Sequence, residues 1–412
     1  MNSAEPVIAD PYSLNLEDID PAIPDLFEHQ AHWDYFRRLR SEDPVHFVPG
    51  GDFGPYWAVT KYNDIVFVDS HHGLFSSEPA IGIGVATIDF EPPMFIAMDP
   101  PKHDAERKAV VSAVAPQRLS EMEALIRSRV IEVLDDLPLG EPFNWVDKVS
   151  IELTTRMLAT LFDFPFEQRS KLTYWSDVAV SGPNVGGDLS EEERQKILME
   201  DCLPFFNKLW HERADKPGGT DFISLLAHDP ATRDMEPLEF LGNLMLLIVG
   251  GNDTTRNSMS ASVLALHENP AEFAKLKAEP GLIPSMVSEV IRWQTPLAHM
   301  RRVATEDVEL GGKTIKKGDR VVMWYVSGNR DEEVIEQPDK FLVDRPNPRQ
   351  HISFGFGIHR CMGNRLAEMQ LRVLWEEVLA RFERIEVVGK PVRVHSNFVM
   401  GYTGLPVILH PL

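Results

Sequence analysis

The residues best suited to carry chemistry are one cysteine and the glycines that precede it. Cys361 lies near the end of the stretch Phe354-Gly355-Phe356-Gly357-Ile358-His359-Arg360-Cys361-Met362-Gly363, and residues 364–382 form an amphipathic run directly after it. We expect a helix over that run. A thiolate at a helix N-terminus meets free backbone N–H groups and the positive end of the helix dipole, which lower its pKa and make it a durable metal ligand. The pattern therefore predicts a metal-binding thiolate with N–H donors at Met362 and Gly363.

The residues around Cys361 narrow the choice of metal. Neither the only other cysteine, Cys202, nor a nearby Cys/His pair supplies the four ligands of a closed zinc site. A single thiolate suits haem iron, and Gly355 and Gly357 let the backbone come close to a flat partner. No third glycine follows at the spacing of a dinucleotide-binding loop. The residues alone leave one alternative open, a buried structural cysteine beside a flexible loop.

The same stretch, with Leu366-Ala367 after it, resembles the cysteine-ligand loop of the cytochrome P450 family, the haem-thiolate monooxygenases. Four of its residues match the family's fixed positions, and two match its customary polar positions: Phe354, Gly357, Cys361 and Gly363, then His359 and Arg360. The resemblance implies heme b (iron protoporphyrin IX) with Cys361 as axial ligand and Phe354, Gly355 and Gly363 in the cofactor-binding loop. It also implies a mainly α fold with a small β region, one large domain over residues 1–412 that buries the haem.

A second group of residues could bind carboxylates. His103 and Arg107 lie four residues apart on a predicted helix, so they share one face. Two such groups could clamp a carboxylate, although a pair of this kind is usually solvated surface. The resemblance implies that His103 and Arg107 bind the haem propionates, with further contacts from Arg302 and His359.

Residues 237–269 predict the longest helix of the chain, apolar on nearly all sides. Its interior contains Gly250-Gly251-Asn252-Asp253-Thr254-Thr255, although each glycine costs about 1 kcal/mol relative to alanine and an acid is poorly placed in a core. Asp253 and Thr254 can organise water and relay protons. The resemblance places them at the acid and alcohol positions of the family's oxygen-activation motif. The alternative is a helix break that Asp253 caps.

Glu289 and Arg292 lie three residues apart on a predicted helix and would by themselves be an ordinary surface ion pair. They match the family's Glu-x-x-Arg pair, and Arg345 matches its third member. We assign these three residues to structure near the cysteine loop.

Composition excludes several classes of protein. A net charge of −22 argues against nucleic acid as a partner. The two cysteines give no disulfide framework, which fits a reducing cytosol. The first 24 residues lack the features of a signal peptide, and the longest apolar window, residues 240–251, is too short to span a bilayer. We expect a cytoplasmic protein without a membrane anchor, with an irregular arm over residues 1–30.

Candidate substrate residues come from a glycine- and proline-rich segment and from elements near the motifs. The apolar side chains of residues 73–101 could line a cavity or simply pack beneath a surface loop. We expect the substrate-binding residues to be apolar or small: Ile81, Ile83, Val249, Gly250, Leu297 and Met400. Residues 182–187 are a candidate lid.

The resemblance implies that one oxygen atom of O2 is inserted into an unactivated C–H bond. Electrons would come from a ferredoxin and a separate ferredoxin reductase, because no flavin or nicotinamide domain follows Leu412. Residues 292–302 and 323–331 look like those of bacterial alkane and fatty-acid terminal hydroxylases, which predicts medium-chain linear alkanes or fatty acids as substrates. Two alternatives remain: hydroxylation of a steroid or terpene side chain, and a haem-thiolate sensor. Asp253 and Thr254 argue against a sensor, since simple ligand binding needs no proton relay.

Overall fold

The computed structural model describes residues 8–84, 90–181, 189–216 and 218–412. Helices make up most of it, as the sequence predicts. They are α1 (Pro24–Glu28), α2 (His32–Glu42), α3 (Tyr62–Ser70), α4 (Lys102–Val110), α5 (Pro116–Asp135), α6 (Glu152–Leu161), α7 (Ser170–Val180), α8 (Glu191–Ile197), α9 (Leu203–Ala214), α10 (Phe222–His228), α11 (Pro237–Glu268), α12 (Pro270–Ala278), α13 (Ile283–Gln294), α14 (Tyr325–Gly328) and α15 (Asn364–Arg381).

The β structure is small. It consists of β1 (Val45–Val48), β2 (Tyr56–Val59), β3 (Phe75–Ser76), β4 (Phe143–Asn144), β5 (Met300–Ala304), β6 (Val308–Leu310), β7 (Lys313–Ile315), β8 (Arg320–Met323), β9 (Phe382–Val387), β10 (Val392–Arg393), β11 (Tyr402–Gly404) and β12 (Pro406–Pro411). The main sheet has the order β1-β2-β8-β5-β3, with only β2 and β8 parallel. The predicted mainly α fold with a small β region is confirmed.

Helix α11 organises the main core. It runs unbroken from Pro237 to Glu268 and is buried on most sides, packed among α6, α7, α13 and α15. The alternative of a helix break capped by Asp253 is therefore wrong, because the helix continues through that residue. Close packing accounts for one glycine of the pair: a Cβ at Gly251 would lie 2.7 Å from Cδ2 of Leu158 on α6, whereas a Cβ at Gly250 would have no described neighbour within 4 Å.

In its described part, the predicted irregular arm over residues 1–30 contains two short 3-10 turns and one short helix, α1. Pro24 starts helix α1, since proline is preorganised for the first helical position. Ile19, Leu26 and Phe27 are buried in a second apolar cluster with side chains of the main sheet. The arm is therefore a packed part of the molecule.

Two helices of the structure differ in their bounds from what the sequence predicts. Residues 191–215 form α8 and α9 joined by a π-helical turn, Leu198–Cys202, and α7 begins at Ser170 after a short 3-10 turn. The predicted lid at residues 182–187 lies outside the described residues. Within the described part of the chain, no helix is long and apolar enough to cross a membrane.

Candidate active site

The cysteine loop is a tightly bonded turn before helix α15. The Cys361 N–H donates to the carbonyl O of Phe354 at 2.8 Å, and Gly355 and Gly357 take positive φ values of 66° and 64°. A side chain at Gly357 would clash with the backbone carbonyl of Asp69. The glycines are thus required by the backbone conformation and by its approach to α3.

The pKa of the Cys361 thiol is raised, which corrects the sequence expectation. Hydrogen bonds from the N–H groups of Gly363 and Asn364 lower the pKa, as do the charges of Arg107 and Arg360, but burial has the larger effect. The helix N-terminus therefore supplies the predicted donors without making the free thiol acidic. Coordination to a metal would replace the thiol proton.

A cavity lies between α11 and the cysteine loop. Cys361 lines it, and its side chain is open to the cavity while the surrounding protein encloses it. The cysteine side also contributes Phe354, Gly355, Met362 and Gly363. The α11 side contributes Gly250, Gly251, Thr254, Thr255 and Ser258. The two motifs identified in the sequence thus meet at one cavity.

The His103, Arg107 and His359 side chains lie together at this cavity. The two histidine rings are 4.3 Å apart, and Arg107 and His359 line the wall. Burial lowers the pKa of His103, and burial together with the charge of Arg302 lowers that of His359 to about 2. Both rings are therefore neutral at neutral pH.

Two buried ring nitrogens in this group lack a partner among the described residues, Nε2 of His103 and Nδ1 of His359. Arg107 donates to the carbonyl O of Arg360, and His359 Nε2 lies 2.8 Å from Ser77 Oγ. Buried polar atoms without partners are costly. A cavity with a thiol, an arginine and two imidazoles that each keep one unpartnered nitrogen fits a thiolate-ligated haem that carries carboxylate groups.

Arg302 differs from this group. It is buried, its Nη2 donates to Asp69 Oδ1 at 2.8 Å, and it is not part of the cavity wall that the described residues form. Its predicted propionate contact stays a prediction. Asp69 does line the wall, and no sequence pattern singled it out. The sequence pointed to Asp69 only indirectly, through Gly355 and Gly357 of the cysteine loop, which packs against it.

Thr254 and Asp253 have different surroundings. Thr254 lines the cavity, and its Oγ1 donates to the carbonyl O of Gly250 at 3.3 Å. Asp253 is fully buried, accepts from Ser176 Oγ at 2.9 Å and forms an ion pair with Arg256 at 2.5 Å. Burial raises the pKa of Asp253, and Arg256 opposes that rise.

The ion pair between Asp253 and Arg256 continues toward the surface of the molecule. Arg256 also pairs with the exposed Asp177 at 2.8 Å. Asp253 is not part of the wall formed by the described residues, so it would act on the cavity through a neighbour such as Thr254. Sequence reasoning missed Ser176 and Arg256, because one lies on another helix and the other reads as an ordinary surface arginine.

The candidate substrate residues fall into two groups. Gly250 and Leu297 line the cavity. Ile83 and Met400 belong instead to the apolar cluster beneath the main sheet, and Ile81 holds β5 through its carbonyl, which accepts the Arg301 N–H at 2.8 Å. Val249, like these three, is not part of the wall formed by the described residues. The described wall instead includes Phe95, Ile96, Leu246, Leu247 and Met300, which were not predicted.

Met400 nevertheless lies beside the wall. Its N–H donates to the carbonyl O of Pro296 at 2.9 Å, and Leu297 forms a β-bridge with Val399. The apolar tip predicted near the C-terminus thus supports the segment that carries Leu297.

The predicted Glu289, Arg292 and Arg345 group is a buried network. Glu289 accepts from Arg292 at 2.8 Å and from Arg345 at 2.7 Å, and Glu289 and Arg292 are fully buried. Ser353, one residue before the cysteine loop, donates to the carbonyl O of Ile291 at 2.8 Å. The network thus joins α13 to the start of that loop.

Fold, cysteine loop and cavity together define a haem-thiolate type of protein, and comparison with known proteins agrees. A family model described as Cytochrome P450 matches residues 106–401. The structure of CYP153D17 from Sphingomonas sp. PAMC 26605 is 49% identical with a TM-score of 0.88, over 94% of this chain and 98% of that one. Cytochrome P450-153 from Novosphingobium aromaticivorans is 45% identical with a TM-score of 0.88, over 95% and 99%. Linalool 8-monooxygenase of Pseudomonas putida is 38% identical, over 96% of this chain and 100% of its own length.

The chain belongs to the cytochrome P450 family. It is a P450 monooxygenase, so its cofactor is heme b with a cysteine thiolate as axial ligand, and its reaction uses O2 and a redox partner.

Proposed function

We propose that this monooxygenase hydroxylates the terminal carbon of medium-chain linear alkanes or fatty acids. The observation that carries the proposal is the apolar wall next to Thr254, where Ile96, Leu247 and Leu297 offer contact surface without hydrogen-bonding side chains. Such a wall selects a substrate by shape. The resemblance of residues 292–302 to alkane and fatty-acid hydroxylases supports the same class.

Each part of the site has a proposed role. Cys361 is the axial ligand, held by the Gly363 and Asn364 N–H groups, and Arg107, His103 and His359 bind the haem carboxylates. The haem, when bound, supplies the activation of O2. The Thr254 hydroxyl holds a proton at the cavity wall, and Asp253 exchanges protons with solvent through the Arg256 and Asp177 side.

We also propose a ferredoxin with a separate reductase as the electron donor, and a cytoplasmic location.

The apolar cavity wall keeps bulk water away from the bound substrate, so the reductant is consumed in converting the substrate and is not lost to side reactions.

One alternative substrate class has its own support. The relative named linalool 8-monooxygenase aligns over its full length, which favours hydroxylation of a terpene side chain. A branched terpenoid and a linear chain both suit an apolar wall, so the preference of the cavity for one substrate shape has to be measured directly.

The test is a titration of the purified ferric holoenzyme with linear alkanes, fatty acids, linalool and a sterol, following the shift of the haem from low to high spin. Saturation with medium-length linear chains, followed by terminal alcohols as products, would support the proposal. A shift confined to linalool or to the sterol would replace it with the corresponding alternative.

Leu297→Phe provides the matched variant, since Leu297 lines the cavity. It should move the preferred chain length or the position of hydroxylation. Leu125→Phe is the control, because Leu125 is an exposed leucine on α5 and is not part of the described wall. Equal product profiles for Leu297→Phe and the wild type would remove Leu297 from the substrate site.

A further inference from the structure

One carboxylate on the cavity wall has no part in the roles proposed above. Asp69 lies at the C-terminal end of α3, is 3% exposed and lines the cavity on the side that carries Arg107 and His359. A buried carboxylate is costly unless it is paired and hydrogen-bonded. Its partners therefore indicate what it does.

Three donors from three different segments meet at Asp69. Arg302 of β5 donates to Oδ1 at 2.8 Å, and the Tyr325 hydroxyl of α14 donates to Oδ2 at 3.0 Å. The third donor is the backbone N–H of Phe356 in the cysteine loop, at 2.7 Å from Oδ2. Charge-assisted hydrogen bonds of this kind are about twice as strong as neutral ones.

The cysteine loop is shaped to reach this carboxylate. Phe356 lies between Gly355 and Gly357, and a Cβ at Gly355 would lie 3.1 Å from Asp69 Oδ2. Larger residues at either glycine would push the loop off α3. The loop therefore packs on Asp69 five residues before Cys361, and Asp69 is the only side chain among the described residues that accepts from the loop's Phe356 N–H.

The negative charge of Asp69 also balances the buried positive charge of Arg302. The other hydrogen bond of the Arg302 guanidinium goes to the carbonyl O of Arg301 at 2.9 Å, so Asp69 is its only ion-pair partner among the described residues. Losing Asp69 would free a buried cation next to the site where the haem carboxylates bind.

We propose that Asp69 is a positioning residue of the haem site: it fixes the thiolate loop through Phe356 and holds the charge of Arg302 in balance. The role depends on haem binding and not on the substrate, so it stands whether or not the proposed hydroxylation is correct.

The first test is Asp69→Asn in the holoenzyme, which keeps the size of the side chain and removes its charge. Ferric haem carries one more positive charge than ferrous haem, so removing a nearby negative charge disfavours the ferric form. The reduction potential should therefore rise. The thiolate-type Soret band of the reduced carbon monoxide complex should decay at least about tenfold faster, as expected from the loss of one charge-assisted hydrogen bond.

Glu272→Gln is the matched control. Glu272 is also a buried carboxylate that accepts a backbone N–H, from Val343 at 2.9 Å, and pairs with a cation, Lys275, at 2.9 Å. It is on α12, and it is not part of the described cavity wall. This variant should lower thermal stability and leave the potential and the band lifetime at wild-type values.

An Asp69→Asn enzyme with wild-type potential and band lifetime would overturn the proposal, and so would one that loses only thermal stability, as the control does. If Asp69→Asn does not fold, Asp69→Glu carries the test, because it keeps the charge and displaces the acceptor oxygens by one methylene. A shortened band lifetime at unchanged potential would then support the proposal, and a wild-type lifetime would overturn it.

Discussion

At the scale of single residues, neighbours within one sequence motif can differ in whether they reach the cavity wall. Thr254 reaches the wall, whereas Asp253, its neighbour in sequence, is turned toward Ser176 and Arg256. Neighbours on a helix point about 100° apart, so this separation follows from α11 being regular. A proton path through both residues would have to pass from one face of the helix to the other.

The Thr254 hydroxyl can be tested by Thr254→Ala. We expect substrate to bind normally while the amount of product per reductant consumed falls about a hundredfold, the lower end of the usual range for loss of a group that transfers protons. The measurement compares NADH consumption, peroxide and product with a reconstituted electron-donor system.

Thr155→Ala is the control, because it removes a buried hydroxyl on α6 that bonds Thr173 away from the described wall. Equal coupling in the Thr254→Ala enzyme and this control would argue against proton delivery by Thr254.

Sequence motifs found Cys361, Thr254, Arg107 and His359, since each belongs to a local pattern. Asp69 could not be found in this way, because its three donors come from parts of the chain as far apart as residues 302 and 356. The raised pKa of Cys361 was missed for a similar reason: the local helix N-terminus was visible, and the burial created by the whole fold was not.

At the scale of elements, buried polar groups join helices that the sequence shows only singly. The sequence placed both ends of α11 and of α15 to within one residue, because long periodic runs define helices well. Taken alone, Glu289 and Arg292 would be a surface pair, and only the resemblance assigned them to structure near the cysteine loop. Their burial depends on α13 packing against segments more than 40 residues away.

Glu289→Gln should therefore cost far more than a surface change. Burial raises the pKa of Glu289, but hydrogen bonds from Arg292 and Arg345 outweigh it and hold the pKa below its usual value. Removing this charge leaves two buried guanidinium groups without their partner, which costs about 3–5 kcal/mol of unfolding free energy. Urea denaturation measures this loss.

The comparison is Glu333→Gln, which breaks an exposed pair with Lys61 and should cost less than about 1 kcal/mol. Similar losses for the two variants would mean that the Glu289 network contributes little to the fold.

The contact between α4 and α11 predicts a dependence of stability on pH. Burial, together with the neighbouring Glu239, raises the pKa of Glu106 from 4.5 to about 7. Lys102 bridges the two carboxylates, at 2.7 Å from Glu239 and 3.7 Å from Glu106, and Asn243 donates to Glu106 at 2.8 Å. Between pH 4.5 and 7 the folded protein keeps a proton that the unfolded chain releases.

The unfolding free energy should therefore fall as the pH rises through this window, by at most about 3 kcal/mol from this group. Glu106→Gln keeps an acceptor for Asn243 and should remove that part of the slope. Denaturation curves at pH 5, 6, 7 and 8 measure it, with the exposed Glu121→Gln as control for loss of one charge. An unchanged slope in Glu106→Gln would show that Glu106 releases its proton at its ordinary pKa.

At the scale of the whole molecule, the cavity is a large gap within the main core. Residues of that core line it on several sides, among them Phe95, Phe222 and Leu366. The sequence predicted a buried haem from one loop, but the size of the gap depends on how several helices and the main sheet are spaced. No local pattern determines such spacing.

The cofactor should therefore contribute strongly to stability. A ligand that binds only the folded state at about 1,000 times its dissociation constant adds roughly 4 kcal/mol, which for a chain of 412 residues is roughly 5 °C of melting temperature. We expect protein freed of haem to melt at least that much lower, and added hemin to restore the difference. Circular dichroism at fixed protein concentration measures both forms.

The Glu333→Gln variant should show the same difference between the two forms as the wild type, since its exposed pair is not part of the described cavity wall. Equal melting temperatures with and without haem would mean that the core closes over the gap by itself, and the cavity would then be a product of haem binding instead of a preformed site.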